Sequence, residues 1–366
     1  MIVVYSYERL NSFTRFLQLM RIALVHHSVC GYGGMEIVSQ RLYYYLTKRG
    51  HEVTLFSTSA CRGMNVRQVK VLKFNPEIQI PLDKVSGDYE VVHALSSLSY
   101  FNISVSSMLK GKKVVSFLAV KTLRTHPNLF YRLVGPIYED YMIKKGLKLA
   151  NAVTVKNLGD KIILEKFNAS SFLIPDGLDD VYFKPLNEDF RQEVLRRFNL
   201  EEGEFALYVG RIHKLKGVEV FIKALQLSNF KGVIVGSGDK IEGTNVVYAG
   251  SLDDMSKIAL IDSSCCVVIP SLSDYVEAFS IVASEAWARR KPVIASSVGA
   301  LKYRVKEGVN GFLFKPGDYK ALANILPKAK DFKVKEIPED VLPWETVVSM
   351  YEDVYKKTLE DSDFEK

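Results

Sequence analysis

Two carboxylates eight positions apart, Glu277 and Glu285, stand where a polar, turn-rich loop, SLSDY, runs into a helical stretch expected over Phe279 to Arg290. The apolar run Val267 to Pro270 before the loop predicts a buried strand end, and PVIAS predicts another strand directly after Lys291. A helix that begins just after a strand offers backbone N–H groups without intrahelical partners and the positive end of its dipole, a seat for a phosphate. The seat falls on Ala278, Phe279, Ser280 and Ile281, with Glu277 at its mouth and Glu285 about two turns further along. Each carboxylate can accept two hydrogen bonds from neighbouring hydroxyls, as a ribose or sugar diol would give. The same spacing fits an ordinary amphipathic helix with a solvated Glu285 and a loop Glu277.

Cations and glycines occupy matching positions. The strand predicted at EFALYVGR ends in Gly210 and Arg211, and Lys216 opens the helix KGVEVFIKALQLS, so two positive charges face the sheet edge to which the glutamates belong. That pairing suits a diphosphate. Gly33 and Gly34 follow the strand RIALVHHS, but the position of the third fingerprint glycine is Glu36 and the next strand ends in Ser57 and Thr58. A dinucleotide cofactor site is therefore disfavoured, while a backbone loop able to approach a phosphate remains. His93, at the end of the strand EVVH, is a candidate polar contact to substrate, against the plainer reading of a structural histidine.

The elements that must hold these residues alternate strand and helix twice over. One series runs from Met20 through RIALVHHS, HEVTLFST, VKVLKF, YEVVHALS and KKVVSFLAV, then a long aromatic and basic helical region from about Pro127 to Ala150, to SSFLIPDG. After the turn-rich PDGLDDVYFKP a second series begins at EFALYVGR. Repeated strand and helix units build parallel sheets with ligands at the strand C-terminal ends, so the expected class is α/β with two domains, 20–173 and 174–343, and a tail helix over 344–366. Residues 1–19 read as an extension, without the cleavage site of a signal peptide. The 366 residues are enough for two cores.

Four cysteines, Cys30, Cys61, Cys265 and Cys266, show no CxxC spacing and read as buried free thiols in a reducing cytosol. No His, Cys or Asp cluster has metal-ligand spacing, so no metal site and no cofactor is expected. The net charge of +7 is concentrated: residues 101–166 hold twelve Lys and Arg against four Asp and Glu, interleaved with aromatics as in LFYRLVGPIYEDYMIKKG. This suits an anionic membrane surface or an anionic acceptor, as well as a merely solvated basic face. Nucleic acid is not expected, because no recognition motif accompanies the charge.

Taken in order, GYGGME, IPDGLDDVYFKP, YVGRIHKLKGVEVFIKAL, VGSGD, VIPSLSDYVEAFSIVASEAWARRKPVIASSVGALKYRVKEGVNGFLFKPGD and PWETVVSMYEDVYKK resemble glycosyltransferase family 4, whose E-x7-E motif matches Glu277 and Glu285. The resemblance implies the GT-B fold, two Rossmann-like domains across a cleft, and retaining, metal-independent transfer of a hexosyl group from a nucleotide-diphosphate sugar, UDP-linked, to a glycan or lipid-linked acceptor. It implies donor-sugar contact by Glu277, ribose contact by Glu285, and neutralisation of the diphosphate by Arg211 and Lys216. Backbone at Phe279 to Ile281 would hold the terminal phosphate, closed over by Gly33 and Gly34. The expected location is cytoplasmic, peripheral at the inner face of the membrane.

The chain departs from the family pattern at Ala278 and Ser280, where glycines are usual. It has no T-x-H histidine at Ser116 to Ala119, His126 lies too far along to replace it, and the usual acid near Tyr303 is missing. A sugar-nucleotide epimerase of the same fold, or a catalytically silent sugar-nucleotide sensor, stands as the alternative.

Overall fold

The two series of apolar runs fold as two parallel sheets in the computed structural model, which describes residues 19–361 apart from 32, 76 and 127. In the first sheet the strand order is Val66–Gln68, Glu52–Ser57, Arg21–Val25, Asp88–Ala94, Lys110–Phe117, Ala152–Val155, Phe172–Leu173. In the second it is Val246–Gly250, Lys231–Val235, Phe205–Val209, Cys266–Ile269, Val293–Ser296, Gly311–Phe314. The central strands are continuous buried runs, such as CVVI at Cys266–Ile269, because helices cover both faces of each sheet. Chain order reverses beside Arg21–Val25 in one sheet and beside Phe205–Val209 in the other, and each reversal opens a crevice at the strand C-terminal ends.

Three expectations about elements change. The strand at VKVLKF lies outside the parallel sheet: Val71–Lys73 pairs antiparallel with Gln79–Pro81 in a separate hairpin. The helix expected over Phe279 to Arg290 is Ile281–Ala288. The basic aromatic helix spans Leu129–Leu149 and carries Pro136 inside it. The expected extension at residues 1–19 lies, but for Leu19, outside the described residues.

The tail helix Trp344–Glu360 crosses back to the first sheet. Trp344, Val347, Val348, Tyr351 and Tyr355 enter the core built on Ile22, Leu24, Leu42 and Val91. Arg49 fastens it, donating to Ser349 Oγ at 2.9 Å, to Glu352 Oε2 at 2.7 Å and to the Glu345 carbonyl at 2.6 Å. Burial works against the Glu352 carboxyl, yet His51 and Arg49 outweigh it and hold its pKa below the usual range.

The cysteine expectation holds for half the set. Cys265 and Cys266 are buried and free, whereas Cys30 and Cys61 form a disulfide between the glycine loop and the loop after Glu52–Ser57. Thirty-one positions separate the pair, and only the fold brings them together. The disulfide goes against the expectation of four free thiols in a reducing cytosol, where such a bond is rare. Among the described residues no helix is long and apolar enough to cross a membrane, and no group of His, Cys, Asp or Glu could hold a metal ion.

Candidate active site

Loops from both sides of the switch point in the second sheet build the site. After Phe205–Val209 the chain passes Gly210 and Arg211 into a short turn, Lys214–Lys216, and then Gly217. Gly217 adopts φ +69°, and a Cβ there would fall 1.9 Å from the Pro270 carbonyl oxygen, so the turn can lie against the end of the neighbouring strand only with glycine. This approach delivers Lys216, whose Nζ donates to Glu277 Oε1 at 2.8 Å and to the Val276 carbonyl at 3.2 Å. Ser271 Oγ donates to the same carboxylate oxygen at 2.6 Å. Glu277 is 2% exposed, and its charge is balanced by Lys216.

A second glycine fixes the backbone of Glu277. Gly299, at φ +50°, lies where a Cβ would come 2.2 Å from the Glu277 carbonyl oxygen, and the next residue, Ala300, donates its N–H to that oxygen at 2.8 Å. Gly299 N–H donates to Asp274 at 2.7 Å, and Lys302 pairs with the same carboxylate. Burial would raise the Asp274 carboxyl, but Lys302 and the Gly299 N–H outweigh it and bring it below the usual range.

The helix Ile281–Ala288 starts from Ser280, which sits at φ 71°, ψ 80° and provides no side-chain cap. Few residues other than glycine adopt this left-handed conformation without strain. It is Ser280, not Ala278, that occupies the strained position: Ala278 is absent from the residues at positive φ. Beneath the turn lies a residue to which the sequence assigned no role, Arg304. Its guanidinium donates to the carbonyls of Phe279 at 2.7 Å and Ser280 at 3.0 Å and to Ser284 Oγ at 2.7 Å, and pairs with Asp340 through two nitrogens. It also stacks over the Phe279 ring, 3.8 Å from the centroid. Arg304 thus holds the turn by its carbonyls and leaves the N–H side of the helix start open to a ligand.

Glu285 is separately partnered. Its Oε1 accepts from Lys257 Nζ at 2.8 Å, while Oε2 is buried without a hydrogen-bond partner among the described residues. Burial works against the Lys257 ammonium, yet Glu285 and Asp254 hold its pKa above the usual range. Lys257 lies in the first turn of helix Asp254–Ser263, 28 positions before Glu285, where nothing but a fold pairs them.

Arg211 is exposed and has no ion-pair partner among the described residues. Its backbone carbonyl accepts from the Tyr208 hydroxyl at 2.7 Å. Its charge reaches the phenols of Tyr208 and Tyr275, which burial raises and Arg211 pulls down.

The first domain closes the other side. A cavity of about 100 Å³ lies between Ala119 to Thr122, Asn157 and Asp160 on one side and Glu277, Ala278, Gly299 and Tyr303 on the other. Asn157 Nδ2 donates to the Ala278 carbonyl at 2.7 Å, Thr125 Oγ1 donates to Asp274 at 3.1 Å and the Tyr275 hydroxyl donates to Glu77, so hydrogen bonds bridge the two domains here. Asp160 shapes the facing loop by accepting from the N–H groups of Ala119 at 3.1 Å and Val120 at 2.8 Å. Burial pushes its carboxyl up to about 7 against these donors. Gly33 is the N-cap of helix Gly34–Lys48, and Ile281 packs both against the second-domain core and against the first-domain cluster that includes Met35.

His93 is a correction. It is wholly buried, with Nδ1 against the Tyr355 hydroxyl and Nε2 against Ser116 Oγ, both at 2.8 Å. Burial depresses its pKa to about 3. Covered by the tail helix, it meets no substrate. His126 faces a second cavity, beside Tyr131 and Tyr275, and does not line the cleft at Ala119 to Thr122.

Residues 190–333 match the family described as glycosyl transferases group 1. The chain is 25% identical over 349 residues to the phosphatidyl-myo-inositol mannosyltransferase of Mycolicibacterium smegmatis, covering 84% of each. The chain is similar to glycosyltransferases of the family 4 type. Its fold is GT-B, like that of sucrose-phosphate synthase from Thermosynechococcus elongatus, at TM-score 0.68 and 20% identity over 93% of this chain and 99% of that one. The Anabaena protein HepE, solved in complex with UDP and glucose, superposes on this chain with TM-score 0.69 at 15% identity, covering 92% of this chain and 99% of that one.

Proposed function

We propose that this glycosyltransferase moves a hexosyl group from a nucleotide-diphosphate sugar, UDP-linked, to a glycan or lipid-linked acceptor with retention of configuration. The observation that carries the reading is the convergence of Lys216, Ser271 and the buried Glu277 at the open start of helix Ile281–Ala288, with the unpaired Arg211 just past the end of the adjacent strand Phe205–Val209. Negative charge builds on a departing diphosphate, and fixed cations with a helix N-terminus stabilise it without reorganising at the moment of reaction. Arg211 and Lys216 are the groups for that task, so protein cations rather than a bound metal balance the charge.

Glu277 takes the hydroxyls of the transferred sugar. Glu285, with an acceptor oxygen lacking a donor, takes the ribose. Gly33 and Gly34 close over the phosphates from the first domain. The acceptor attacks from the face the diphosphate leaves, and the leaving oxygen takes its proton, so no separate protein base is needed. The relative from Mycolicibacterium smegmatis acts by its name on a phosphoinositide, and the Anabaena protein was solved with UDP and glucose; both favour this reading.

A membrane-proximal acceptor is favoured by helix Leu129–Leu149. Leu129, Phe130, Leu133, Val134, Ile137 and Tyr141 are all exposed, Ile137 at 74%. At about 100° per residue they fall within an arc of about 140°, and the exposed Lys144 and Lys148 continue it. An apolar stripe ending in lysines fits the interface of an anionic bilayer, from the cytoplasmic side in this reading. Lys113 and Lys156 do not contribute, since both are buried and bonded inside the protein.

The test is slow UDP-sugar hydrolysis by the protein alone, in excess EDTA. The reading expects turnover that survives EDTA and disappears in Glu277→Ala, and equal hydrolysis by that variant sinks it. A silent sensor, which the missing histidine of the 116–119 loop favours, would instead bind the sugar nucleotide tightly with no hydrolysis.

A further inference from the structure

A second cavity, of about 220 Å³, lies beside the cleft between helix Leu129–Leu149, the turn Leu123–Thr125 and Tyr275. Its walls include Ile78, Leu123, Phe130, Val134 and Tyr275. An apolar cavity of about 150 Å³ already accommodates a benzene ring, so this one has room for a short run of methylenes or an isoprene unit.

Two features fix which way a ligand would lie. Phe130 and Val134 belong both to the cavity wall and to the exposed apolar stripe, at 65% and 47% exposure, so the cavity continues into that stripe. Another part of the wall is polar. The Tyr275 hydroxyl donates to Glu77 Oε1 at 2.5 Å, and the Tyr138 hydroxyl donates to the Leu98 carbonyl at 2.8 Å. Tyr275 sits in the turn Asp274–Val276, immediately before Glu277, so this polar part shares a wall with the candidate transfer site. A chain entering from the stripe would bring its polar head towards Glu277.

We propose that this cavity receives the apolar chain of a membrane-lipid acceptor, entering between Phe130 and Val134, with Glu77 and the Tyr275 hydroxyl in its polar wall meeting the acceptor's head group. The proposal rests on the transferase reading above and names the acceptor's class. A free sugar acceptor would leave the apolar walls unmatched, whereas an amphiphile matches the cavity, its mouth at Phe130 and Val134, and the polar groups together. The lysines that continue the stripe match the anionic surface in which such a lipid lies.

Titration calorimetry with decyl β-D-glucopyranoside below its micelle concentration tests this, with methyl β-D-glucopyranoside as the chainless control. Saturable one-to-one binding is expected for the decyl glycoside and none for the methyl glycoside. Val134→Trp, filling the mouth, should weaken binding at least tenfold, and Ile78→Trp, filling the cavity from another wall, should do the same with its fold checked by thermal unfolding. Ile137→Glu, on the stripe but outside the cavity, should bind as wild type does. Equal binding of the two glycosides, wild-type affinity in both filled variants, or equal loss in Ile137→Glu overturns the proposal. Hydrolysis of UDP-sugar by the same preparations needs no acceptor chain: if it persists while decyl binding fails, the cavity assignment alone falls, and if it is absent the transferase reading falls instead.

Discussion

At the scale of single residues, Glu277 is the best supported member of the site because three neighbours constrain it. Lys216 and Ser271 share one of its oxygens, and the backbone at Gly299 and Ala300 holds its carbonyl. Lys216 is positioned through Gly217, which alone can pass so close to the Pro270 carbonyl. Replacing Arg211 or Lys216 by alanine should slow transfer by about 2–4 kcal/mol of transition-state stabilisation, the size seen on removing one oxyanion donor. Steady-state kcat with an identified donor checks this, and wild-type turnover in both variants would remove the phosphate role. A separate prediction concerns Ser280, whose φ of 71° is costly for a residue with a Cβ. Ser280→Gly should stabilise the fold by about 1 kcal/mol, read as a raised thermal midpoint.

At the scale of elements, two helices divide the work. Helix Ile281–Ala288 is held from beneath by Arg304, which satisfies the carbonyls of the turn and keeps its N–H side for a ligand. Helix Leu129–Leu149 carries an exposed apolar face that no described element covers, followed on the same side by Lys144 and Lys148. Vesicle binding should therefore require anionic lipid and weaken with rising salt, because screening shortens the reach of the lysines. Ile137→Glu should reduce sedimentation with phosphatidylserine vesicles several-fold while leaving the thermal midpoint near wild type. Binding indifferent to both lipid charge and this substitution would remove the docking role.

At the scale of the whole molecule, the cleft is a contact between domains joined by few hydrogen bonds, and the tail helix returns to the first sheet through Arg49, His51 and His93. Buried carboxyls beside the cleft make stability depend on pH. Glu139 is pushed up to about 7 by burial, against the N–H of Leu123, and Asp160 is pushed up to about 7 by burial against the N–H of Val120. Their folded pKa values lie above those of an unfolded chain, so the native state holds more protons than the unfolded state between about pH 4 and 7. Their contribution is full below that window and is lost as pH rises through it. Glu139→Gln, which mimics the protonated acid, should gain stability relative to wild type at pH 8 and show little difference at pH 4, measured by denaturant unfolding at both values. A larger advantage at pH 4 would contradict the assignment.

Local pattern carried a large part of this protein. The runs CVVIP, EFALYVGR and RIALVHHS declare parallel strands because strands buried on both faces are continuously apolar. The short gap from a strand end to a helix marks Glu277, Arg211 and Lys216 as ligand-edge residues, since a parallel sheet puts all such ends on one side. Those inferences depend on neighbours within a few positions. What the tertiary structure alone decided are pairings over long separations. Lys257 joins Glu285, Arg304 holds the turn at Phe279 and Ser280, Cys30 meets Cys61, and Tyr355 covers His93, turning an expected substrate contact into a buried hydrogen-bonded core residue. Burial and partner choice follow from which surfaces pack together, and no window of sequence around His93 contains the helix 262 positions away that covers it. Glu277 and Glu285 were legible as a pair from their spacing, and their separate partners, Lys216 and Lys257, came only from the fold.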